Sequence, residues 1–177
     1  MKFLTFSVFI LLILSSSGQT NNNKQIQTFK KGVQTKDTST YAILKFSKID
    51  TWLFKDVQPV SLSENEIQEI EIILKRCIDM YNSSQQSFFD SISKTHPEYN
   101  LKVQDFVINL YRYKRQYFPV INSSGEKEVW VNFFCDDFDK NWRKEMLIVQ
   151  DGGNCYFSLI INLTTKSYYR FIVNGDA

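Results

Sequence analysis

The sequence has 177 residues, of which 43% are hydrophobic, 23% charged and 15% aromatic, and its net charge is +2. These values are typical of a globular domain and exclude a disordered chain. A nucleic-acid-binding domain normally carries a strong basic excess, so the small net charge excludes a nucleic-acid partner.

The chain begins with the three-part pattern of a secretory signal. Lys2 precedes an uncharged apolar run over 3–14, and the small residues 15–18 follow it. This run is shorter than the roughly twenty residues that span a bilayer, so we expect no membrane span after cleavage. We therefore predict an exported protein, periplasmic or secreted, with a signal peptide over 1–18, a flexible polar leader over 19–40 and a single domain over 41–177.

The strongest local signal is the start of a helix. Ser63 and Glu66 form a capping box, and Leu62 and Ile67 occupy the positions of a hydrophobic staple. Apolar residues then recur at helical spacing, which predicts an amphipathic helix from Ser63 to about Tyr81. Two short apolar stretches, 41–46 and 49–54, precede it as a strand with a bulge or as two short strands, and a short second helix is predicted around 87–92.

After residue 100 the apolar period changes from that of a helix to that of strands. The Asp151-Gly152-Gly153 sequence indicates a hairpin turn, because glycine adopts positive φ at no steric cost. The helix and the strands together predict an α+β fold, in which one N-terminal amphipathic helix packs on a curved antiparallel sheet of about four or more strands, cystatin-like by analogy. The predicted strands are 101–110 leading into 111–118, 129–135, 145–149, 155–163 and 169–173.

Three cysteines remain after signal cleavage, Cys77, Cys135 and Cys155. An odd number leaves at least one thiol outside any intramolecular bond. Either all three are buried apolar side chains or two of them form a disulfide. If 128–135 pairs with 144–150, Cys135 and Cys155 lie roughly 20 Å apart by strand rise. A disulfide needs Cα atoms within about 7 Å, so this argument disfavours that pair and leaves the pairing undetermined.

Motifs for catalysis, metals and cofactors fail on inspection, so we expect no catalytic residue, no metal site and no cofactor. The single histidine, His96, stands before Pro97 in a polar stretch. A calcium-loop pattern begins at Asp137, but Trp142 and Ile148 occupy the positions that require glycine and glutamate.

Paired carboxylates leave one enzymatic alternative open, because two acidic side chains can hydrolyse a glycosidic bond. Under this alternative the chain is a hydrolase that uses loop aspartates. The candidates are Asp136, Asp137, Asp139 and Asp151.

The segment 111–118 interleaves tyrosine with arginine and lysine, a composition that can bind a partner or a glycan by stacking and hydrogen bonding. In the alternative interpretation the tyrosines pack inward and the basic residues face water. The candidate binding residues are Tyr111, Arg112, Tyr113, Lys114, Arg115 and Tyr117.

Several motifs in about the last sixty residues occur together: KRQYFP, EVWVN, FCD, VQDGGNCYF, INLT and VNG. They begin at Lys114, Glu128, Phe134, Val149, Ile161 and Val173. In this region the chain resembles a group of small exported proteins from Bacteroidota. The resemblance implies export and a source but no mechanism. The group commonly has a cysteine where Phe133 stands, so this chain departs from the pattern there and one cysteine is left unpaired.

We therefore expect an exported, non-catalytic domain that binds a protein, a peptide or a glycan. The hydrolase and a purely structural component of the cell envelope are the alternatives.

Cleavage of the signal is directly testable. Protein recovered from the exported fraction should begin at Gln19, because Ser16 and Gly18 supply the small residues before the cut. Intact-mass measurement with N-terminal sequencing checks this, and a mature chain that retains residues 1–18 would contradict it.

Overall fold

One long helix and a six-stranded sheet form this computed structural model, which describes residues 40–47, 52–136 and 140–175. The described residues belong to one compact unit of the chain, Lys36–Ala177. The predicted signal peptide, the leader as far as residue 39 and much of the 49–54 stretch lie outside them. The predicted α+β class is confirmed as a mixed α+β architecture with one long helix.

Helix α1 spans Glu64–Thr95 and begins as predicted. The Glu66 amide donates to the Ser63 hydroxyl (3.3 Å), and the Ser63 amide donates to the Glu66 carboxylate (2.7 Å). These two reciprocal bonds satisfy amides that a helix start otherwise leaves unpaired. One face of the first half is buried: Ile67, Ile70, Ile73, Leu74, Cys77 and Ile78.

The helix continues well past its predicted end near Tyr81, and the short second helix predicted around 87–92 is part of it. The polar side chains in this half bond within the helix; for example, the Ser87 hydroxyl donates to the Ser83 carbonyl (3.1 Å). The helix ends at His96, where Pro97 disfavours helical geometry in the residue before it.

The strands are β1 Tyr41–Ile43, β2 Gln58–Pro59, β3 Lys114–Ile121, β4 Lys127–Phe134, β5 Tyr156–Asn162 and β6 Ser167–Val173. The sheet has the order β1-β3-β4-β5-β6, and β2 pairs with the same edge of β3 as β1. Strands β3 to β6 form an antiparallel meander, whereas β1 runs parallel to β3 and makes the sheet mixed.

Alternation along the strands gives the sheet two faces. The helix face packs against α1, and its strand residues form one buried cluster with the helix stripe. The fully buried strand side chains of this cluster are Tyr117, Val129, Val131, Phe133, Leu159 and Ile161.

A charged network lies inside the contact between α1 and the sheet. Arg115 of β3 pairs with the Glu71 carboxylate (2.5 Å), and the Tyr117 hydroxyl donates to the same carboxylate (2.7 Å). Burial raises the pKa of Tyr117, and this effect is larger than the lowering by the positive charge of Arg115. The phenol therefore stays protonated and donates. Removal of the Glu71 carboxylate would leave the buried Tyr117 hydroxyl without a partner and Arg115 without its counter-charge.

The opposite side of the sheet, called here the outer face, is covered by two irregular segments. Phe46, Leu53 and Phe54 pack with Phe118 and Trp130 at one end of the strands. The segment 140–149 covers the other end, and its residues Trp142 and Leu147 pack with Phe134 and Ala42.

Two predicted strands are absent from the described residues. The 101–110 region forms short 3-10 turns at Val103–Asp105 and Leu110–Arg112. The Asn82 amide supplies sheet-like partners there, because it donates to the Ile108 carbonyl and accepts from the Ile108 amide, both at 2.8 Å. The 145–149 region is also irregular, because the side-chain amides of Gln116 and Asn132 bond its main-chain groups in place of a neighbouring strand.

The predicted hairpin at Asp151-Gly152-Gly153 is wrong, although both glycines have positive φ (91° and 55°). They lead into a 3-10 turn, Gly153–Cys155, that precedes β5. A Cβ atom at Gly152 would lie 2.6 Å from the Tyr156 ring, so the position requires glycine for space as well as for φ.

A disulfide joins Cys135 to Cys155, whose Cα atoms are 5.0 Å apart, and Cys77 is a buried free thiol. The sequence argument against this pair was therefore wrong.

The error came from the assumed pairing of 144–150 with the strand before it. Strand β4 pairs with β5 instead, so that Phe134 lies opposite Tyr156. The two cysteines extend this register by one position, and the Cys135 amide donates to the Cys155 carbonyl (3.0 Å).

Strand β6 carries one extra residue relative to β5. Ser158 pairs with Ile172 but Ile160 pairs with Tyr169, and Arg170 between them has a positive φ of 50°. The Arg170 guanidinium donates to the Leu53 carbonyl (3.4 Å), so this β-bulge is tied to the covering segment.

None of the described helices is long and apolar enough to cross a membrane.

The helix stripe yields a stability prediction. Leu74→Ala should lower the free energy of unfolding by about 2–5 kcal/mol, because Leu74 is fully buried against the sheet. Ile72→Ala is the matched control on the same helical turn; Ile72 is 64% exposed, and its truncation should change stability by less than about 0.5 kcal/mol. Urea unfolding of both variants checks this, and equal losses would contradict the packing of this stripe.

Candidate binding groove on the outer face

A row of polar side chains crosses the outer face in sheet register. Gln116 of β3 pairs with Asn132 of β4, which pairs with Ser158 of β5, and Ser158 faces Ile172 of β6. Antiparallel neighbours in such a row lie about 5 Å apart. The row therefore places three polar side chains side by side under the segment 140–151.

Gln116 is fully buried and uses both ends of its amide. Its Nε2 atom donates to the carbonyls of Trp142 and Glu145 (2.5 and 2.6 Å). Its Oε1 atom accepts from the Leu147 amide (3.0 Å) and from the Asn132 side chain (3.2 Å). Thus one side chain satisfies three main-chain groups that a neighbouring strand would otherwise pair.

Two asparagines hold the rest of this segment, 147–151, which forms one rim of the groove. Asn132 Nδ2 donates to the Leu147 carbonyl (2.7 Å). Asn174 Nδ2, just beyond β6, donates to the carbonyls of Val149 (2.7 Å) and Asp151 (3.1 Å). These bonds, with the disulfide at the base of the segment, fix the rim relative to the strands.

Between this rim and Trp52 lies a groove of about 500 Å³. Trp130 contributes to its floor, and the Trp52 ring stands edge-to-face to Trp130 with ring centroids 5.8 Å apart. Three apolar lining side chains remain substantially exposed: Trp52 (55%), Ile148 (58%) and Ile172 (53%). The volume falls within the range of small-molecule sites.

The remaining lining groups are uncharged. Asn132, Gln150, Ser158 and Asn174 supply amides and a hydroxyl, and no described lining residue carries a charge. Burial and then the charge of Asp136 raise the pKa of Tyr156, so this lining phenol is neutral as well.

In addition to the exposed Gln150 amide, three polar atoms of the groove have unused capacity. The Oδ1 atoms of Asn132 and Asn174 and the Oγ atom of Ser158 make no hydrogen bond to any described residue. The amide nitrogens of both asparagines are already engaged in holding the rim. The groove therefore presents hydrogen-bond acceptors. The two asparagine acceptors have a fixed orientation, because the Nδ2 atom of each side chain donates to a rim carbonyl.

The residues predicted to form a binding surface over 111–118 are separated by the structure. Tyr111 is 98% exposed and Arg112 is exposed, but Tyr113 and Tyr117 belong to the core on the helix face. Tyr113 donates its hydroxyl to the Asn154 carbonyl (2.7 Å). The tyrosines therefore do not form one exposed aromatic face, because α1 covers the side of β3 on which Tyr113 and Tyr117 lie.

The two cations of β3 face opposite sides. Arg115 is bound to Glu71 on the helix face, and Lys114 lies over the Trp142 ring, 5.5 Å from its centroid, on the outer face. A binding role for Tyr111 and Arg112, which precede the strand, stays a prediction.

The predicted aspartate site is only partly described. Asp136 and Asp151 are exposed, and Asp137 and Asp139 lie outside the described residues. His96 stacks on Tyr99 (centroids 4.9 Å apart) and contacts the Glu98 carboxylate through Nδ1 (3.1 Å). Within the described ranges, no group of three or more histidine, cysteine and acidic residues has the geometry to hold a metal ion.

The sequence argument missed the groove and its main residues. Trp52 does not belong to any periodic pattern of apolar residues. Ser158 and Asn132 stand at the polar positions of alternating strands, and such positions usually face water. One usable signal was the pair Gln116 and Asn132, polar residues inside otherwise apolar strands, since buried strand amides need specific partners.

Comparisons of the chain with protein-family models, with curated proteins and with solved structures find no match.

The bonds of the Gln116 amide yield a prediction for stability and hydrogen exchange. Gln116→Leu should lower the free energy of unfolding by at least about 2 kcal/mol, because it leaves two carbonyls and the Leu147 amide without partners. Hydrogen exchange at Leu147 should accelerate in the same variant. Gln150→Leu, at an exposed rim position, is the control and should change neither quantity. An unchanged Leu147 exchange rate would contradict the role given to Gln116.

Proposed function

We propose that this chain is an exported, non-catalytic binding domain that takes an uncharged ligand into the groove on the outer face of its sheet. The observation that carries the proposal is the groove itself, with exposed Trp52 and Ile172 beside unused polar atoms and no charged described lining residue. Apolar walls with a few placed polar groups are the common composition of a ligand site.

The chemistry of the lining groups supports binding rather than turnover. Amides and hydroxyls form hydrogen bonds, whereas general acid–base catalysis relies on groups that exchange protons near neutral pH. Among the described residues, the groove holds no carboxylate, histidine or cysteine side chain. No described feature favours the hydrolase or the structural envelope component, so binding is the only function we propose.

Export rests on the signal pattern of residues 1–18 and is supported by the Cys135–Cys155 disulfide, since such bonds persist in oxidising compartments. The cystatin-like analogy is likewise a proposal. A long helix that precedes an antiparallel meander supports it, and the parallel pairing of β1 is a departure from it.

The proposal is tested with an uncharged fluorescent probe, N-phenyl-1-naphthylamine, titrated into the mature protein. We expect saturable binding, weakened at least about tenfold by Trp52→Ala, because exposed tryptophans at binding sites carry much of the binding energy. Circular dichroism and the melting temperature of the variant establish that its fold is retained.

Tyr111→Ala is the matched control, since it removes a more exposed aromatic ring from the surface predicted by sequence. It should leave probe binding unchanged. Loss of binding in Tyr111→Ala with retention in Trp52→Ala would transfer the site to the start of β3 and overturn the proposal.

A further inference from the structure

We infer that the ligand of this groove is a neutral oligosaccharide, an inference that rests on the proposed binding function and specifies its ligand class. Its basis is the combination of aromatic surface with fixed hydrogen-bond acceptors in an uncharged site. Each part of this combination restricts the chemistry of the occupant.

The acceptors select a ligand rich in hydrogen-bond donors. The free Oδ1 atoms of Asn132 and Asn174 are fixed because their Nδ2 atoms bond to the rim carbonyls. Ser158 lies opposite Asn132 on β5, the strand between β4 and β6, and its hydroxyl can either accept or donate. Sugar hydroxyls donate to such atoms and rotate to suit them.

The aromatic residues require that the same ligand have an apolar face. Trp52 is 55% exposed beside Trp130, so its indole offers a large rigid surface at the groove wall. The C–H face of a sugar ring meets this requirement while its edge carries hydroxyls.

The absence of charge disfavours the competing ligand classes. A cation or an anion that left water here would lack an opposite charge among the described lining residues. An extended peptide would bring many carbonyl oxygens that need donors, but the asparagine amides of the groove are already used, and among its asparagine, glutamine and serine side chains only Gln150 and Ser158 can still donate. A polyhydroxylated neutral ligand avoids both costs.

The layout also sets a minimum ligand size. The acceptors extend from β4 to the residue that follows β6, across about two strand spacings, or roughly 10 Å. A ligand that contacts all three therefore contains more than one sugar ring. The rim is already held in place, so little ordering accompanies binding.

The test titrates the mature protein with five neutral tetrasaccharides: cellotetraose, xylotetraose, mannotetraose, maltotetraose and chitotetraose. Calorimetry and tryptophan fluorescence report binding. At least one should bind, with affinity reduced at least about tenfold in Trp52→Ala and about three- to tenfold in Ser158→Ala, as expected for loss of one hydrogen bond. Tyr111→Ala should bind like the native protein.

The outcomes separate the two proposals. If N-phenyl-1-naphthylamine binds in the groove and none of the five sugars does, the ligand class is overturned and the binding function stands. If neither binds, both are overturned. Sugar binding that Trp52→Ala and Ser158→Ala leave unchanged would also overturn the inference, because the sugar would then occupy another surface.

Discussion

Side-chain amides of asparagine and glutamine provide main-chain partners at two places where the described chain leaves its helix and its sheet: the segment 140–151 and the turns before β3. Gln116, Asn132 and Asn174 bond the segment over the outer face, and Asn82 bonds the turn region before β3. A buried main-chain group without a partner costs about as much as a lost hydrogen bond. The irregular segment 140–151 can therefore lie over this sheet because these amides take the place of a further strand.

This constraint links the core to the candidate site. Gln116 lies in β3, whose neighbouring positions Arg115 and Tyr117 bond Glu71 of α1 on the other face. The same strand thus fixes the helix on one side and the covering segment on the other. The groove wall is consequently bonded to the sheet directly, which favours a binding surface formed before its ligand arrives.

The helix start and the antiparallel meander could be predicted because their signals are local. A capping box and an apolar stripe indicate a helix from a few neighbouring residues, and strand alternation likewise indicates a strand. The sequence 145–149 resembles a strand for the same local reason. Its Leu147 amide bonds instead to a side chain 31 residues away in the chain, and local pattern holds no information on that partner.

The site escaped prediction for a related reason. Alternation separates Tyr113 and Tyr117 from Lys114 and Gln116, as the structure does, but Tyr111 and Arg112 lie in a 3-10 turn before the strand. Alternation also does not reveal that both faces of β3 are covered. The disulfide could not be inferred once 144–150 was taken as the partner of β4, because this wrong strand pairing gave a wrong distance between Cys135 and Cys155. Trp52 acquires its position from Trp130, a residue far from it in sequence.

The extra residue in β6 has a consequence for how molecules of this protein meet. An outermost strand offers unpaired amides and carbonyls at a regular repeat, and another polypeptide can dock on them and continue the ladder. In β6 the positive φ of Arg170 breaks that repeat near its middle, and the arginine side chain turns towards Leu53. Stacking of copies into fibrils through this border of the described sheet is thereby opposed by backbone geometry rather than by charge.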